Sequence, residues 1–409
     1  MEKKQQQKDK TSFWYFGVGG LLALSKSRGH NVKIDKAAIK DLKPPFVVLC
    51  NHQGYYDWVY AAKALMPNKV RFVVSRYQFL NPKTGPILQK MGAIPKSQFT
   101  SDASAVKEII RTVKRGGIVG IYPSGKLSLF GEDEKPLEGT YELIKKLNVP
   151  VVFIQVDGSY RTAPRYNIET KKGRVDVKLS ILFTPGELAS LPAQEGKAKL
   201  NAAFCHDDFA SSTNNVEFKS KNIIAGLDDM AYICPSCKTD YTMKTDGPNR
   251  ILCTKCGFSA TMDNRFRLTG ENGFTAPKTI SEWGRFIKAE ERERVLRAPE
   301  AKLTTTMKLM EHVNDEAQLS QTGTVTAELN SEGISLRGKR GGEPFERFFT
   351  YAQYPAMHIF DKIYLLVPDN EEVLCVSPAT AAETTKWGIA SEVYACLSAE
   401  GLLKATVGS

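Results

Sequence analysis

Two side chains within residues 45–60, PFVVLCNHQGYYDWVY, could carry acid–base chemistry together. An apolar run stops at Asn51 and His52, and Asp57 follows the histidine five positions later. An imidazole changes its charge near neutral pH, which suits it to general-base catalysis. A carboxylate one helical turn further on can keep one ring nitrogen protonated and leave the other free to accept a proton. We therefore expect His52 to be a general base and Asp57 its orienting partner.

The sequence around this pair offers no protein nucleophile. No G-x-S-x-G motif occurs, and Cys50, earlier on the strand, is expected to point away from the histidine. A His–Asp pair without a nucleophile implies that the substrate supplies the hydroxyl, which His52 would deprotonate for attack on an activated carbonyl. The alternative is a structural pair, since a His-x4-Asp spacing by itself is weak evidence of catalysis.

Four of the eight cysteines form a second group with the spacing of a chemical site. The segments ICPSC and LCTKC give a C-x2-C-x15-C-x2-C arrangement at Cys234, Cys237, Cys253 and Cys256. Each C-x2-C knuckle can present two thiolates to one tetrahedral ion. We expect a structural zinc ribbon; the alternatives are an iron site and a pair of disulfides. Many zinc ribbons bind nucleic acid, but the positive charge of this chain lies elsewhere, so we expect no nucleic-acid partner.

Strands and helices alternate between about residues 45 and 185, which indicates an α/β layer fold. FVVLC, VRFVVS, GIVGIYP and PVVFIQVDG are expected strands, and DWVYAAKALMP, SDASAVKEIIRTVKRGG and GTYELIKKLN are expected helices. In RVDVKLSILF the apolar residues alternate, so we expect one side of the sheet to carry Val175, Val177, Leu179, Ile181 and Phe183. Ligands of such folds gather at the carboxyl ends of strands, where His52 and the segment YPSGK would lie.

Changes in composition divide the chain into six segments. They are an N-terminal segment at 1–30, the α/β domain at 31–205, a polar linker at 206–228, the zinc ribbon at 229–264, a charged helical connector at 265–300, and a β-rich domain at 301–409. In the last segment, short strands with glycine turns precede one helix, TAAETTKWGIASEVYACL. This order resembles that of a pleckstrin-homology-like domain.

Charge is distributed unevenly along the 409 residues, whose net charge is +11. Residues 1–200 contain 33 Lys and Arg against 17 Asp and Glu, and the remainder contains 23 against 28. A basic first half is typical of proteins with an anionic partner such as phospholipid, a phosphorylated substrate or nucleic acid. The alternative is an ordinary basic surface exposed to solvent.

The N-terminal segment combines lysines, four consecutive aromatic residues and a short apolar stretch. This stretch of about 12 residues is shorter than the roughly 20 that a membrane-spanning helix needs, and no secretory signal is recognisable. Aromatic rings beside lysines favour the boundary between water and lipid. The four cysteines outside the ribbon are scattered, as buried thiols in a reducing cytoplasm would be. We therefore expect peripheral or monotopic attachment to the cytoplasmic face of a membrane; the alternative is an amphipathic helix packed on its own domain.

Four blocks of sequence together resemble the glycerolipid acyltransferases, the family of 1-acylglycerol-3-phosphate acyltransferases. NHQGYYD is similar to the N-H-x4-D block, and FVVSRYQF with MGAIPKSQF, GIYPSGKLS and VPVVFIQVDG follow in the family's order. The resemblance covers about residues 10–205. It implies that His52 is the base, that Asp57 orients it, and that Arg76 and Lys96 lie near the acceptor phosphate. It implies no soluble cofactor and no catalytic metal.

The third block departs from the family's usual F-P-E-G-T-R-S. Ser124 stands in place of the glutamate, Lys126 in place of the threonine and Leu127 in place of the arginine. Serine cannot accept a charge-assisted hydrogen bond as a carboxylate does, and leucine cannot clamp a phosphate. Because Lys126 restores a positive charge, we expect Ser124, Gly125 and Lys126 to bind the acceptor headgroup together with the two basic residues of the second block.

The resemblance as a whole implies a membrane-associated enzyme of phospholipid biosynthesis. It would move a fatty acyl group from acyl-CoA or acyl carrier protein to the hydroxyl of a lysophospholipid, with 1-acylglycerol-3-phosphate as the expected acceptor. The alternative is a catalytically decayed acyltransferase fold that acts as a membrane lipid-binding scaffold. The intact His52 and Asp57 favour the enzyme, whereas Ser124 and Leu127 favour the scaffold.

Overall fold

The computed structural model describes residues 14–21, 30–98, 100–211, 213, 215–313, 316–369 and 372–403, whose strands form three sheets. The first sheet and its helices make up the N-terminal α/β domain. The second sheet is the ribbon, and the third belongs to the C-terminal β domain. The predicted order of an α/β layer domain, a ribbon and a β-rich domain is confirmed.

The sheet of the N-terminal α/β domain has seven strands in the order β1-β7-β6-β2-β5-β3-β4. Their bounds are β1 Asn31–Asp35, β2 Val47–Cys50, β3 Val70–Ser75, β4 Ile94–Lys96, β5 Ile118–Ile121, β6 Val151–Asp157 and β7 Arg174–Phe183. Strands β6, β2, β5, β3 and β4 are parallel to one another, and β7 pairs with β6 in the antiparallel direction. Five strands therefore end at one edge of the sheet.

Helices cover both faces of this sheet. Their bounds are α1 Asp57–Leu65, α2 Gly85–Met91, α3 Ala103–Lys114, α4 Thr140–Leu147, α5 Ser159–Thr162, α6 Pro185–Ser190 and α7 Ala193–Ala203. On β2, Val48 packs in the same core as α1, and Val47 and Leu49 pack in the core formed with α3 and α4. Burial on both faces explains why this strand is a continuous apolar run.

Strand β7 differs from the predicted alternation at its end. The first three apolar positions pack in the core of one face, but Ile181 is 42% exposed and Phe183 packs in the core of the opposite face. A register shift leaves Leu182 out of the pairing with β6. A β-bulge of this kind turns the following side chains to the other face. The prediction that all five positions share one side is therefore wrong.

The described residues between 206 and 228 pack on the N-terminal α/β domain, so the prediction of a polar linker is wrong. Asp208 and Thr213 are fully buried, and Phe218 is part of the core. Nε of the buried Arg161 lies 3.2 Å from Oδ2 of Asp208. A buried guanidinium and a buried carboxylate each require the other, because either alone would be costly to desolvate. The polar composition of this segment thus reflects a buried ion pair.

The ribbon is an antiparallel sheet in the order β11-β10-β9-β8. The bounds of its strands and adjacent helices are α8 Leu227–Met230, β8 Met243–Asp246, β9 Arg250–Cys253, β10 Ser259–Met262, β11 Leu268–Gly270 and α9 Ile280–Arg297. Trp283 of α9 donates its indole N–H to the carbonyl of Ile233 at 3.1 Å, and its ring meets Phe258 edge-on. One turn of α9 also packs closely on the N-terminal α/β domain, where Gly284 lies against Phe130. The predicted connector helix thus joins two parts of the protein.

The C-terminal β domain has an antiparallel sheet in the order β15-β14-β13-β12-β18-β17-β16. Its elements are β12 Leu303–His312, β13 Leu319–Leu329, β14 Ile334–Arg340, β15 Glu343–Phe349, β16 His358–Phe360, β17 Tyr364–Asp369, β18 Glu372–Ser377 and α10 Ala381–Ala399. Helix α10 begins after Thr380, whose side chain accepts the backbone N–H of Glu383. The predicted order of strands and a final helix is confirmed, and the likeness to a pleckstrin-homology domain stays a prediction.

Residues 14–21 are the described part of the N-terminal segment. Trp14–Gly19 forms a short π-helix in which Tyr15 is buried, while Phe16 and Leu21 are 39% and 69% exposed. The ammonium group of Lys90 lies 4.4 Å from the Trp14 ring centroid. Residues 1–13 and 22–29, with the lysines of the predicted membrane segment, lie outside the described residues. Within the described ranges, no helix is both long enough and apolar enough to cross a bilayer.

Candidate active site

The carboxyl ends of four neighbouring parallel strands bring the predicted site residues of the N-terminal α/β domain to one edge of its sheet. His52 follows β2, Arg76 follows β3, Lys96 ends β4, and residues 122–126 follow β5. These residues come from three separate sequence blocks. Ligands of open α/β sheets bind at such an edge, which makes it the candidate active site.

His52 and Asp57 form a hydrogen-bonded pair at this edge. Nδ1 of His52 lies 3.0 Å from Oδ2 of Asp57. The aspartate is fully buried, whereas the imidazole is 26% exposed. Helix α1 begins at Asp57, so the start of the helix places the carboxylate beside the ring. Among the described residues, no hydrogen bond engages Nε2 of His52, which can therefore accept a proton from a bound molecule.

Asp57 has three further hydrogen-bond donors. The backbone N–H groups of Gln53 and Gly54 donate to Oδ2 at 2.7 and 2.9 Å, and the hydroxyl of Ser159 donates to Oδ1. Donors to the charged form of a carboxylate stabilise that form, so Asp57 is arranged to balance a positive charge on His52. Sequence reasoning missed Ser159, which is 102 residues away. Its one usable signal was its position just after the strand of the fourth block.

The ends of β2 and β6 are fastened together beneath this pair. The side-chain amide of Asn51 donates to the carbonyl of Val156 at 3.1 Å and accepts its N–H at 2.8 Å. Gly54 lies so close to the end of β6 that a Cβ atom there would be 2.7 Å from the carbonyl oxygen of Ser159. The base and its partner are therefore attached to a rigid frame.

The loop of the third block, residues 122–128, lies against the imidazole. The ring centroids of Tyr122 and His52 are 4.3 Å apart with an interplanar angle of 32°. The backbone N–H of Ser128 donates to the carbonyl of His52 at 2.8 Å. Both ends of the loop thus contact the residue that is expected to act as the base.

Three predicted acceptor-binding residues lie within this loop. Gly125 has a φ of +66°, which favours glycine, and the hydroxyl of Ser124 donates to the carbonyl of Lys126 at 2.9 Å. Nζ of Lys126 lies 3.1 Å from a carboxylate oxygen of Glu134 and 2.6 Å from one of Glu392. Burial alone would lower the pKa of Lys126, but the charges of Glu134 and Glu392 raise it above its ordinary value. Lys126 is therefore a cation that is already paired with two carboxylates.

Arg76 and Lys96 lie further along the same edge. The guanidinium of Arg76 contacts Asp102 at 2.9 Å and donates to the hydroxyl of Ser97 at 3.0 Å. The ammonium of Lys96 donates to the carbonyls of Ser97 and Thr100 at 2.9 and 3.1 Å. Burial lowers the pKa of Lys96, and the charge of Asp102 opposes this effect. Binding of an acceptor by these residues stays a prediction.

Comparison with known proteins shows which family the N-terminal α/β domain is similar to. The family model described as Acyltransferase matches residues 29–156. A 1-acyl-sn-glycerol-3-phosphate acyltransferase of Bacillus subtilis (strain 168) is 26% identical over 158 residues, which cover 39% of this chain and 76% of that protein. Residues 29–156 thus form an acyltransferase domain, and this part of the chain is similar to the glycerolipid acyltransferases.

Two further proteins are similar to part of this chain. The 1-acyl-sn-glycerol-3-phosphate acyltransferase BAT2, chloroplastic, of Brassica napus is 28% identical over 160 residues, which cover 38% of this chain but only 45% of that protein. The solved structure of the 1-acyl-sn-glycerophosphate (LPA) acyltransferase PlsC from Thermotoga maritima matches with a TM-score of 0.37 and 16% identity, over 47% of this chain and 93% of that one.

A cavity of about 240 Å³ lies at the seam between the acyltransferase domain and the C-terminal β domain. Its lining residues are Tyr77, Gln78, Asn81, His312, Ala317, Gln318, Leu319, Phe360, Asp361 and Tyr364. The rings of Tyr77 and Phe360 meet edge-on with centroids 5.1 Å apart. Both domains therefore line this cavity.

The four clustered cysteines converge in the ribbon as predicted. The Sγ atoms of Cys234 and Cys256 are 3.7 Å apart, and those of Cys237 and Cys253 are 3.8 Å apart. These separations exceed the S–S bond of about 2.05 Å, and all four residues are free thiols. A tetrahedral ion with Zn–S distances of about 2.3 Å has sulfur atoms about 3.8 Å apart. The four sulfurs therefore fit a single metal ion.

Proposed function

We propose that this O-acyltransferase moves a fatty acyl group from acyl-CoA or acyl carrier protein to the hydroxyl of a lysophospholipid. The observation that carries the proposal is the His52–Asp57 pair at the carboxyl edge of the sheet, with no hydrogen bond to Nε2 of the histidine within the described part of the chain. The names of the curated relatives favour 1-acylglycerol-3-phosphate as the acceptor. The reaction would be a step of phospholipid biosynthesis.

In the proposed mechanism, His52 acts first as a base and then as an acid. Nε2 takes the proton of the acceptor hydroxyl while the oxygen attacks the thioester carbonyl. Asp57 stabilises the imidazolium through Nδ1–H. The tetrahedral intermediate then collapses, the C–S bond breaks, and the thiolate takes the proton from Nε2. The products are an ester and a free thiol, and no residue is acylated.

Substrate binding is assigned to the surroundings of this pair. Arg76 and Lys96 are the proposed contacts of the acceptor phosphate, because they are basic groups on the edge that carries His52. The backbone at Gly125 could approach a headgroup closely, since no side chain intervenes. The N-terminal segment is proposed to hold the enzyme at the cytoplasmic face of a membrane, where its lipid substrates are.

The four cysteines are proposed to bind structural zinc. Four cysteine sulfurs within 4.8 Å of one another suit zinc, which prefers four tetrahedral ligands. An ion at this position would join the two knuckles and thereby stabilise the ribbon. It has no assigned part in the acyl transfer.

A second candidate function is a lipid-binding scaffold without turnover. It is favoured by the third block, where Lys126 is paired with two carboxylates and Leu127 is buried. A scaffold would bind lysophospholipid with the same fold but would release no thiol from acyl-CoA.

Release of thiol from labelled acyl-CoA with a panel of lysophospholipids tests the proposal. We expect ester formation by the parent, and a loss of about 10²- to 10⁴-fold in kcat for His52→Ala, because a general base contributes about that much. The thermal unfolding midpoint of the variant should stay close to that of the parent. Turnover by His52→Ala within a few-fold of the parent would refute the assignment of the base, and no turnover by the parent would favour the scaffold.

A further inference from the structure

The C-terminal β domain contacts the acyltransferase domain at the catalytic edge. Glu392 on α10 lies 2.6 Å from the ammonium of Lys126. Nε2 of His358, at the start of β16, lies 3.3 Å from the side-chain nitrogen of Gln98. The guanidinium of Arg165, beyond the fourth block, donates to the carbonyl of Ile359. These contacts reach the second and third blocks and the segment after the fourth.

The contact between Lys126 and Glu392 is largely shielded from water. The side chains of Lys126, Glu134 and Glu392 are 18%, 18% and 23% exposed. Charged partners at such positions attract each other more strongly than at a fully exposed surface. An ammonium group with two carboxylate partners is oriented by them, so it is poorly placed to attract a phosphate. The ion pair of Lys126 and Glu392 therefore joins the acyltransferase domain to the C-terminal β domain.

The loop that carries Lys126 transmits this contact to the base. The side-chain amide of Gln98 donates to the carbonyl of Gly125 at 2.6 Å, and Ser124 braces the next turn through the carbonyl of Lys126. Burial, with the nearby charges of Arg165, Lys126 and His52, lowers the pKa of His358 to about 3, so a neutral His358 can accept a hydrogen bond from Gln98. A continuous set of contacts thus extends from α10 and β16 to the Tyr122 ring and His52.

We propose that Glu392 is a positioning residue for acyl transfer and that the C-terminal β domain thereby completes the acyltransferase site. Glu392 places a carboxylate beside the loop of residues 122–128. In this loop, Ser124 stands where the glycerolipid acyltransferases usually have a glutamate. The carboxylate fixes Lys126, which fixes the loop against His52. The kinetic part of this inference rests on the proposed function, whereas the position of the loop can be measured without turnover.

The test replaces Glu392 in the full-length protein. For Glu392→Gln we expect kcat to fall about tenfold, because the amide can still accept a hydrogen bond from Lys126 but no longer attracts its charge. The KM for the acceptor should change little. Amide hydrogen exchange of residues 122–128 should become faster. Glu392→Asp should retain most of the activity. Glu400→Gln is the matched control, because Glu400 follows the same helix but pairs with Arg292, away from the loop.

A charge exchange supplies the second measurement. Lys126→Glu and Glu392→Lys should each reduce kcat, and the double variant should recover part of the loss. Unchanged hydrogen exchange in Glu392→Gln would overturn the inference. Increased activity of Glu392→Gln would also overturn it, because the C-terminal β domain would then restrict access to the site. An effect of the substitution on the acceptor KM alone would overturn it as well, because Lys126 would then contact the substrate. Faster exchange of residues 122–128 in Glu392→Gln, found together with no turnover by the parent, would show that Glu392 fixes the loop but would refute the proposed enzyme.

Discussion

At the scale of single residues, the proposed mechanism depends on how Asp57 is solvated by the protein. The carboxylate is fully buried, and its two oxygens accept two backbone N–H groups, the hydroxyl of Ser159 and the imidazole. Burial of a carboxylate without such donors would favour its neutral form, which could not balance an imidazolium. Ser159 is therefore expected to support the base through Asp57 without contact with the substrate.

Ser159→Ala tests this role. Loss of about 1.4 kcal/mol of stabilisation in the transition state would lower kcat about tenfold. The KM for the acceptor should stay close to that of the parent, because Ser159 is expected to act without contact with the substrate. Ser211→Ala is the matched control, since Ser211 donates to Asp157, which is not part of the pair. Equal kinetic effects of the two substitutions would show that Ser159 is only a structural residue.

At the scale of elements, the described part of the N-terminal segment presents two apolar side chains to solvent beside a basic domain. Tyr15 anchors it in the core, while Phe16 and Leu21 are exposed. Exposed apolar side chains on a basic domain suit the surface of an anionic bilayer. The described part of the segment thus agrees with both predicted alternatives, since one residue packs on the domain and two point outwards.

Replacement of both exposed residues, Phe16→Ser with Leu21→Ser, tests membrane attachment. Burial of such a side chain contributes about 1.5–3 kcal/mol, so partial insertion of two predicts about a 10- to 100-fold weaker partition into phosphatidylglycerol vesicles. Leu296→Ser removes a comparably exposed leucine of α9 and should leave the partition unchanged. Equal vesicle binding by the double variant and the parent, measured by sedimentation, would exclude this helix as the anchor.

At the scale of the whole molecule, one hydrophobic cluster runs from Leu129 and Phe130 of the acyltransferase domain through the ribbon to the C-terminal β domain. Helix α9 lies in this cluster, and Trp283 packs between Phe258 and the backbone of Ile233, next to the first cysteine knuckle. The ribbon therefore connects the acyltransferase domain to the C-terminal β domain. Unfolding of the ribbon should change how these two domains pack on it.

Removal of the metal tests this view. We expect the purified protein to contain zinc in a ratio of about one per chain, and a strong chelator should lower the thermal unfolding midpoint. The emission of Trp283 should shift to longer wavelength as its site becomes hydrated, and Trp283→Phe should abolish most of that shift. Detection of iron, or of no metal, would refute the zinc assignment. A shift that persists in Trp283→Phe would place the change elsewhere.

Features that depend on spacing along the chain can be predicted from the sequence alone. The apolar run before His52 indicates a buried strand because parallel strands are covered on both faces. Asp57 comes one helical turn later, and the cysteine knuckles have the spacing of metal ligands because each knuckle is a local turn. The order of the four blocks was sufficient to indicate the family, which the comparisons support.

Tertiary structure decided the contacts between residues that are far apart in sequence. Ser159 meets Asp57 across 102 positions because β6 and β2 are parallel neighbours. Glu392 meets Lys126 across 266 positions because the C-terminal β domain packs on the edge that carries His52. The bulge in β7 depends on its pairing with β6, which the alternation of its own residues does not encode. Such contacts depend on strand order and on the packing of whole domains, and no local pattern of residue types specifies either.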